Sequence, residues 1–121
     1  MRIIVISDTH QYYRNFETIV LRNPDADMFL HLGDGESEYQ LLCRNMPEVA
    51  DKFRYVKGNC DYSSDAPLTE LIDVAPNHRI LATHGHRYRV NSTLDYLEQD
   101  IGKGLDRGFS SFKIKIGGAA V

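Results

Sequence analysis

Cysteine is nearly absent: Cys43 and Cys60 are the only two among 121 residues, too few for a disulfide scaffold at this size. Free thiols suit a reducing compartment, so a cytoplasmic location is the expectation. Long apolar runs are lacking as well. No stretch approaches the roughly 20 residues of a bilayer-spanning helix, and the opening Met1-Arg2-Ile3-Ile4-Val5-Ile6 gives way at once to Ser7 and Asp8. Neither a membrane span nor a signal peptide is expected. Positive charge is also short, with 14 Lys and Arg against 17 Asp and Glu and a net charge of −3. Such a chain has no general footprint for gripping a polyanion, so nucleic acid is not expected as a tight partner and any phosphate affinity must come from a local site.

What remains is 42% hydrophobic and 26% charged, which fits one globular domain over residues 1–121. Composition shifts near its end. Residues 103–121 carry four basic residues and one acidic, whereas the preceding 102 carry ten and sixteen, and five of the nine glycines fall between Gly102 and Gly118. Residues 103–121 therefore read as a tail that differs from the body.

Arg2 to Ser7 is an Ile- and Val-rich run, the pattern of a strand buried on both faces. Phe16, Ile19 and Val20 follow at helical spacing, and Asn23-Pro24-Asp25 stops that helix. Met28 to Leu32 predicts a second strand, Tyr39, Leu42, Cys43 and Met46 a second helix, and Phe53 to Lys57 a third strand. Leu68 to Val74 and Arg79 to Thr83 predict two strands joined by a turn at Ala75-Pro76-Asn77-His78. Beyond these, Leu94, Leu97 and Ile101 suggest a helix, and Phe112, Ile114 and Ile116 a last strand. A β-α-β-α-β opening requires crossovers between parallel neighbours, so the fold class is α/β.

Ligands of open α/β sheets gather beyond the carboxyl ends of the strands, where this chain places its metal-capable residues. Asp8 and His10 follow the first strand, Asp34 the second, Asn59 the third, and His84 the second strand of the hairpin. Carboxylate, imidazole and amide oxygen together suit Mn²⁺, Fe²⁺, Zn²⁺, Ni²⁺ or Co²⁺, and the absence of paired cysteines argues against a structural zinc knot. Divalent ions held there would create an anion site in an acidic protein.

Asp8-Thr9-His10, Gly33-Asp34, Gly58-Asn59-Cys60-Asp61 and His84-Gly85-His86, in that order, resemble the calcineurin-like metallophosphoesterases, and among them the small bacterial phosphodiesterase branch. Each piece alone is common; four in sequence, each closing a strand, are specific. The resemblance covers residues 1 to about 100. It implies a β-sandwich flanked by helices and two divalent ions, Mn²⁺ first among the candidates. Asp8 and His10 would hold the first ion, Asn59 and His84 the second, and Asp34 both. The implied reaction is in-line attack on phosphorus by a hydroxide held between the ions, with a small phosphate ester as substrate. Many larger members carry a histidine directly after Gly-Asn to assist the leaving group, where this chain has Cys60. That departure favours diesters, or monoesters with acidic leaving groups, and leaves His86 as the nearby candidate acid.

The family pattern ends in Gly-His-x-His, and no such element occurs after Gly85, where His86 is the last histidine. Each ion would lack one imidazole, so the expectation is a C-terminally shortened fold, an open sheet edge and impaired catalysis. A scaffold or interaction module on the same fold, as in a retromer-coat relative, is the alternative. A phosphatase with Asp8 as nucleophile ranks well behind, because it wants an aspartate at the position of His10. A second copy of the chain stays open as a partner. His31 shares a strand face with Phe29 and reads as a satisfied sheet histidine, and Cys43 beside Leu42 and Met46 reads as core.

Overall fold

A computed structural model describes residues 1–62, 64–76 and 78–85. Along the chain run β1 (Ile3–Ile6), α1 (Tyr13–Leu21), β2 (Met28–His31), α2 (Glu36–Asn45), α3 (Pro47–Ala50), β3 (Phe53–Tyr55), β4 (Thr69–Ala75) and β5 (His78–Thr83). The helix expected around Leu94 to Ile101 and the strand around Phe112 to Ile116 lie outside the described residues, as does His86.

β1, β2 and β3 form a parallel sheet in chain order, while β4 and β5 pair antiparallel as a second sheet. Strand alternation then sorts the core into two layers. Ile6, Phe29 and Phe53 project from one face of the parallel sheet and meet Phe16 and Val20 of α1 and Leu42 of α2. Leu30, Leu32 and Val56 project from the other face and meet Ile72, Ile80 and Ala82 of the antiparallel pair. Helices, parallel sheet and second sheet are thus stacked in that order, the α/β class read from the element order and the helix-flanked sandwich implied by the resemblance.

Local chemistry explains the boundaries. Phe16 and Val20 lie one turn apart and are both buried, which fixes the inner face of α1. That helix ends where Asn23 donates its side-chain N–H to the Ile19 carbonyl at 2.7 Å, and Pro24 cannot continue it. Across the β2–β3 register Phe29 stacks on Phe53 at 5.0 Å between ring centroids, a contact worth about 0.5–1.5 kcal/mol beyond its buried area.

Two details differ from expectation. Pro47 opens a separate one-turn helix, α3, because proline is compatible with a first helical position but would break α2 if placed inside it. β1 is not buried on both faces: Val5 is 42% exposed. Ile4 and Ile6 lie on the helix-covered side, but Val5 pairs with Leu30 and shares its opposite face, where the β4–β5 sheet covers Leu30 and leaves Val5 uncovered.

Candidate metal centre

Parallel strands in adjacent positions end side by side, so the segments after β1, β2 and β3 become neighbours. The backbone ties them together: Asp8 N–H donates to the Gly33 carbonyl at 2.9 Å and His10 N–H to the Asp34 carbonyl at 3.1 Å. Asp8, His10 and Asp34 all have positive φ, at 57°, 39° and 63°. Three non-glycine residues in that sparsely populated region mark a turn held by its surroundings, as functional sites often show.

Close approach of two loops requires the glycines. A β-carbon on Gly58 would lie 2.1 Å from Asp34 Oδ1 and 2.4 Å from Asp34 N, and one on Gly33, whose φ is +104°, would lie 2.6 Å from Gly58 N. Only because both positions lack side chains can Cys60 N–H reach Asp34 Oδ1 at 2.8 Å. With Oδ1 so engaged, Asp34 Oδ2 faces two imidazoles, 3.9 Å from His10 Nε2 and 3.3 Å from His84 Nε2. His10 Nε2 also lies 3.3 Å from Asp8 Oδ1. Ligand atoms of Asp8, Asp34 and His84 all fall within 4.8 Å of one another.

His84 arrives from the second sheet and is 4% exposed. Its Nδ1 sits 2.7 Å from the Leu32 carbonyl, which can only accept, so Nδ1 carries a proton and Nε2 is the atom turned toward Asn59 and Asp34. That nitrogen lies 2.8 Å from Asn59 Oδ1. Electron-rich atoms of His84, Asn59 and Asp34 therefore converge, an arrangement a divalent cation suits. The donors fall into two groups, Asp8 with His10 and Asn59 with His84, meeting at Asp34. All five sequence candidates are brought together; His86 lies outside the described residues.

Beside His10 and Cys60 a cleft of about 370 Å³ opens along the start of α2, past Glu36 and Gln40 to the exposed Tyr62. Partial desolvation and the neighbouring Asp34 carboxylate push the Cys60 thiol up, so it is held as a thiol rather than a thiolate.

Under these donors lies a buried polar layer, of which the sequence marks His31 as a satisfied sheet histidine but not its partners. His31 is fully buried, accepts from Gly33 N–H at 3.1 Å, and lies 3.1 Å from Thr9 Oγ1. Burial pushes its pKa down to about 4, which keeps it neutral. Thr9 in turn donates to Glu38 at 2.9 Å, and Glu38 also accepts from Gln11 N–H, so α2 anchors the loop carrying Asp8 and His10. Asp61 accepts from Asp34, Glu36 and Gly58 N–H groups and from the Tyr55 hydroxyl. Burial opposes its ionisation, but the hydrogen bonds outweigh it and hold the carboxyl below its usual value. For Asp61 the available signal is its place closing the Gly58-Asn59-Cys60-Asp61 motif; nothing in the sequence marks Tyr55 or Glu38.

Among the described residues no helix is long and apolar enough to cross a membrane. Comparison with known proteins agrees with the fold. The chain is 34% identical over 95 residues to the probable metallophosphoesterase YsnB of Bacillus subtilis (strain 168), a match covering 78% of this chain and 52% of that protein. It spans about half the length of that relative. A crystal structure of a conserved uncharacterized protein, a predicted phosphoesterase, from Streptococcus pneumoniae TIGR4 superposes with a TM-score of 0.65 at 26% identity, over 84% of this chain and 55% of the other. A single-mutant Vps29 from Entamoeba histolytica gives 0.53 at 27% identity, over 71% and 49%. Residues 1–107 match the calcineurin-like phosphoesterase superfamily domain, and the chain belongs to that superfamily.

Proposed function

We propose that this chain is a metal-dependent phosphoesterase acting on phosphodiesters or on monoesters with acidic leaving groups. The observation that carries the reading is the convergence of Asp8, His10, Asp34, Asn59 and His84 on one crevice around the Asp34 carboxylate. These residues would hold two divalent ions, Mn²⁺ by preference, with Asp34 shared. Such ions supply positive charge toward phosphoryl oxygens and acidify water near phosphorus.

The protein's own contribution is positioning. Leu32 fixes the His84 tautomer, Cys60 N–H turns Asp34 so that Oδ2 faces the crevice, and the backbone links to Gly33 and Asp34 hold Asp8 and His10. The cleft beside His10 and Cys60 has room for a small phosphate ester. Cys60 occupies the place where a proton donor to the leaving group is expected, and a thiol is a weaker acid there than the imidazolium many larger members carry. Diesters with acidic leaving groups need that proton least.

The test loads the protein with Mn²⁺ and compares bis(4-nitrophenyl) phosphate with glycerol 2-phosphate. Faster turnover of the diester is expected. Equal or greater activity on the alkyl monoester would show that another group delivers the proton. Stoichiometric metal with no turnover of either would favour a binding module.

A further inference from the structure

The parallel register sets Tyr55 beside His31, with its hydroxyl directed at the loops that follow β2 and β3. That hydroxyl accepts from Gly35 N–H at 2.9 Å and donates to Asp61 Oδ2 at 2.7 Å. Asp61 Oδ2 accepts further from Asp34 N–H at 2.9 Å and Gly58 N–H at 2.8 Å, and Oδ1 from Glu36 N–H at 3.3 Å. Tyr55 and Asp61 are 6% and 7% exposed. One phenol and one carboxylate thus gather four backbone N–H groups from two loops. Asp61 borders the cleft, yet its oxygens are occupied by backbone and phenol donors.

The links run crosswise. Cys60 N–H, from the loop after β3, grips the Asp34 side chain, while Asp34 N–H, from the loop after β2, is gripped by the Asp61 side chain. This reciprocity resembles a helix capping box, in which two segments satisfy each other's donors and so fix their separation. Here the separation is that between Asp34 and Asn59.

We infer that Asp61, braced by the Tyr55 hydroxyl, is a positioning residue that sets the spacing of the Asp34 and Asn59 loops and thereby the affinity of the centre for divalent ions. The inference rests on reading Asp34 and Asn59 as metal ligands. Asp61→Asn keeps the size of the side chain but leaves one acceptor oxygen in place of two and removes the charge: whichever way the amide turns, an N–H₂ group meets a backbone N–H donor, and the remaining bonds between the loops lose their charge assistance. Removing a partner that orients a metal ligand typically costs about 10- to 100-fold in affinity.

The experiment measures Mn²⁺ dissociation by calorimetry, and amide proton shifts by NMR, for the wild type, Asp61→Asn, Tyr55→Phe and the double variant. Expected are a loss of Mn²⁺ affinity of roughly 10-fold or more in Asp61→Asn and a smaller loss in Tyr55→Phe. The double variant should lose less than the two singles combined, since they act through one network. Amide protons of Asp34 and Gly58 should move upfield in metal-free Asp61→Asn, a signature that a general loss of stability would not give. If Asp61→Asn does not fold, Tyr55→Phe alone decides, and unchanged affinity in it overturns the inference. Folded Asp61→Asn with wild-type affinity overturns it as well. A wild type that binds no Mn²⁺ refutes the metal-site reading itself, and the inference with it.

Discussion

Acidification should destabilise the metal-free protein through His31. This imidazole is 0% exposed and neutral, and desolvation lowers its pKa from 6.5 to about 4. In the unfolded chain it takes up a proton near its ordinary value, so between the two pKa values the unfolded state binds more protons than the native one. Stability therefore rises with pH across this window; the contribution is complete above about pH 6.5 and is lost as pH falls toward 4. Linkage with these two values gives a loss of about 2 kcal/mol between pH 7.5 and pH 5. In a chain of this size that lowers the melting temperature by roughly 8 °C. Asp61 and Glu38, whose carboxyls are held below their usual values, withdraw their support only at lower pH, so the two effects separate. The assay is thermal unfolding followed by circular dichroism in EDTA at pH 7.5, 6.5, 5.5 and 5.0, for the wild type and His31→Gln. Glutamine keeps an N–H donor for Thr9 and removes the titration. A wild-type slope steeper than that of the variant by about 2 kcal/mol over this range is expected, and identical slopes would refute the reasoning.

Asp34→Asn should lower Mn²⁺ content more than any other single ligand change, because Asp34 Oδ2 faces both His10 and His84; elemental analysis after gel filtration reads it. Gly58→Ala should abolish metal binding and cost about 1–3 kcal/mol of stability in denaturant titration, since its β-carbon would collide with the Asp34 backbone and carboxylate. Cys60→His should raise the rate on glycerol 2-phosphate relative to bis(4-nitrophenyl) phosphate by roughly 10-fold or more, the lower range of general acid catalysis. An unchanged ratio would remove Cys60 from the leaving-group side of the site.

Much of this arrangement was legible in the sequence because its signals are local. Short apolar runs located β1, β2 and the hairpin strands, and helical spacing α1 and α2, to within a few residues, and Asp8, Asp34, Asn59 and His84 each stand just beyond a strand. The strand-end rule then predicts their convergence without any long-range information. What escaped depends on partners distant along the chain. Asp61 acquires meaning only when the backbone of Asp34, 27 residues earlier, folds against it. Tyr55 looks like an ordinary core aromatic until Gly35 N–H meets its hydroxyl. Val5 looks buried until the placement of the second sheet over Leu30 leaves it at the rim.

His84 differs from the other donors in its origin. Asp8, Asp34 and Asn59 close the three strands of one sheet, whereas His84 closes β5 of the other and docks on Leu32 by its Nδ1 proton. Folding can therefore bring the first three together through short crossovers before the long-range contact that delivers the fourth. A divalent ion bridging Asp34 and His84 would stitch two independently hydrogen-bonded sheets at their common rim, so its release should loosen β5 ahead of β2. Amide exchange in the β4–β5 hairpin would then report metal loss from the far side of the molecule, well before the parallel sheet opens.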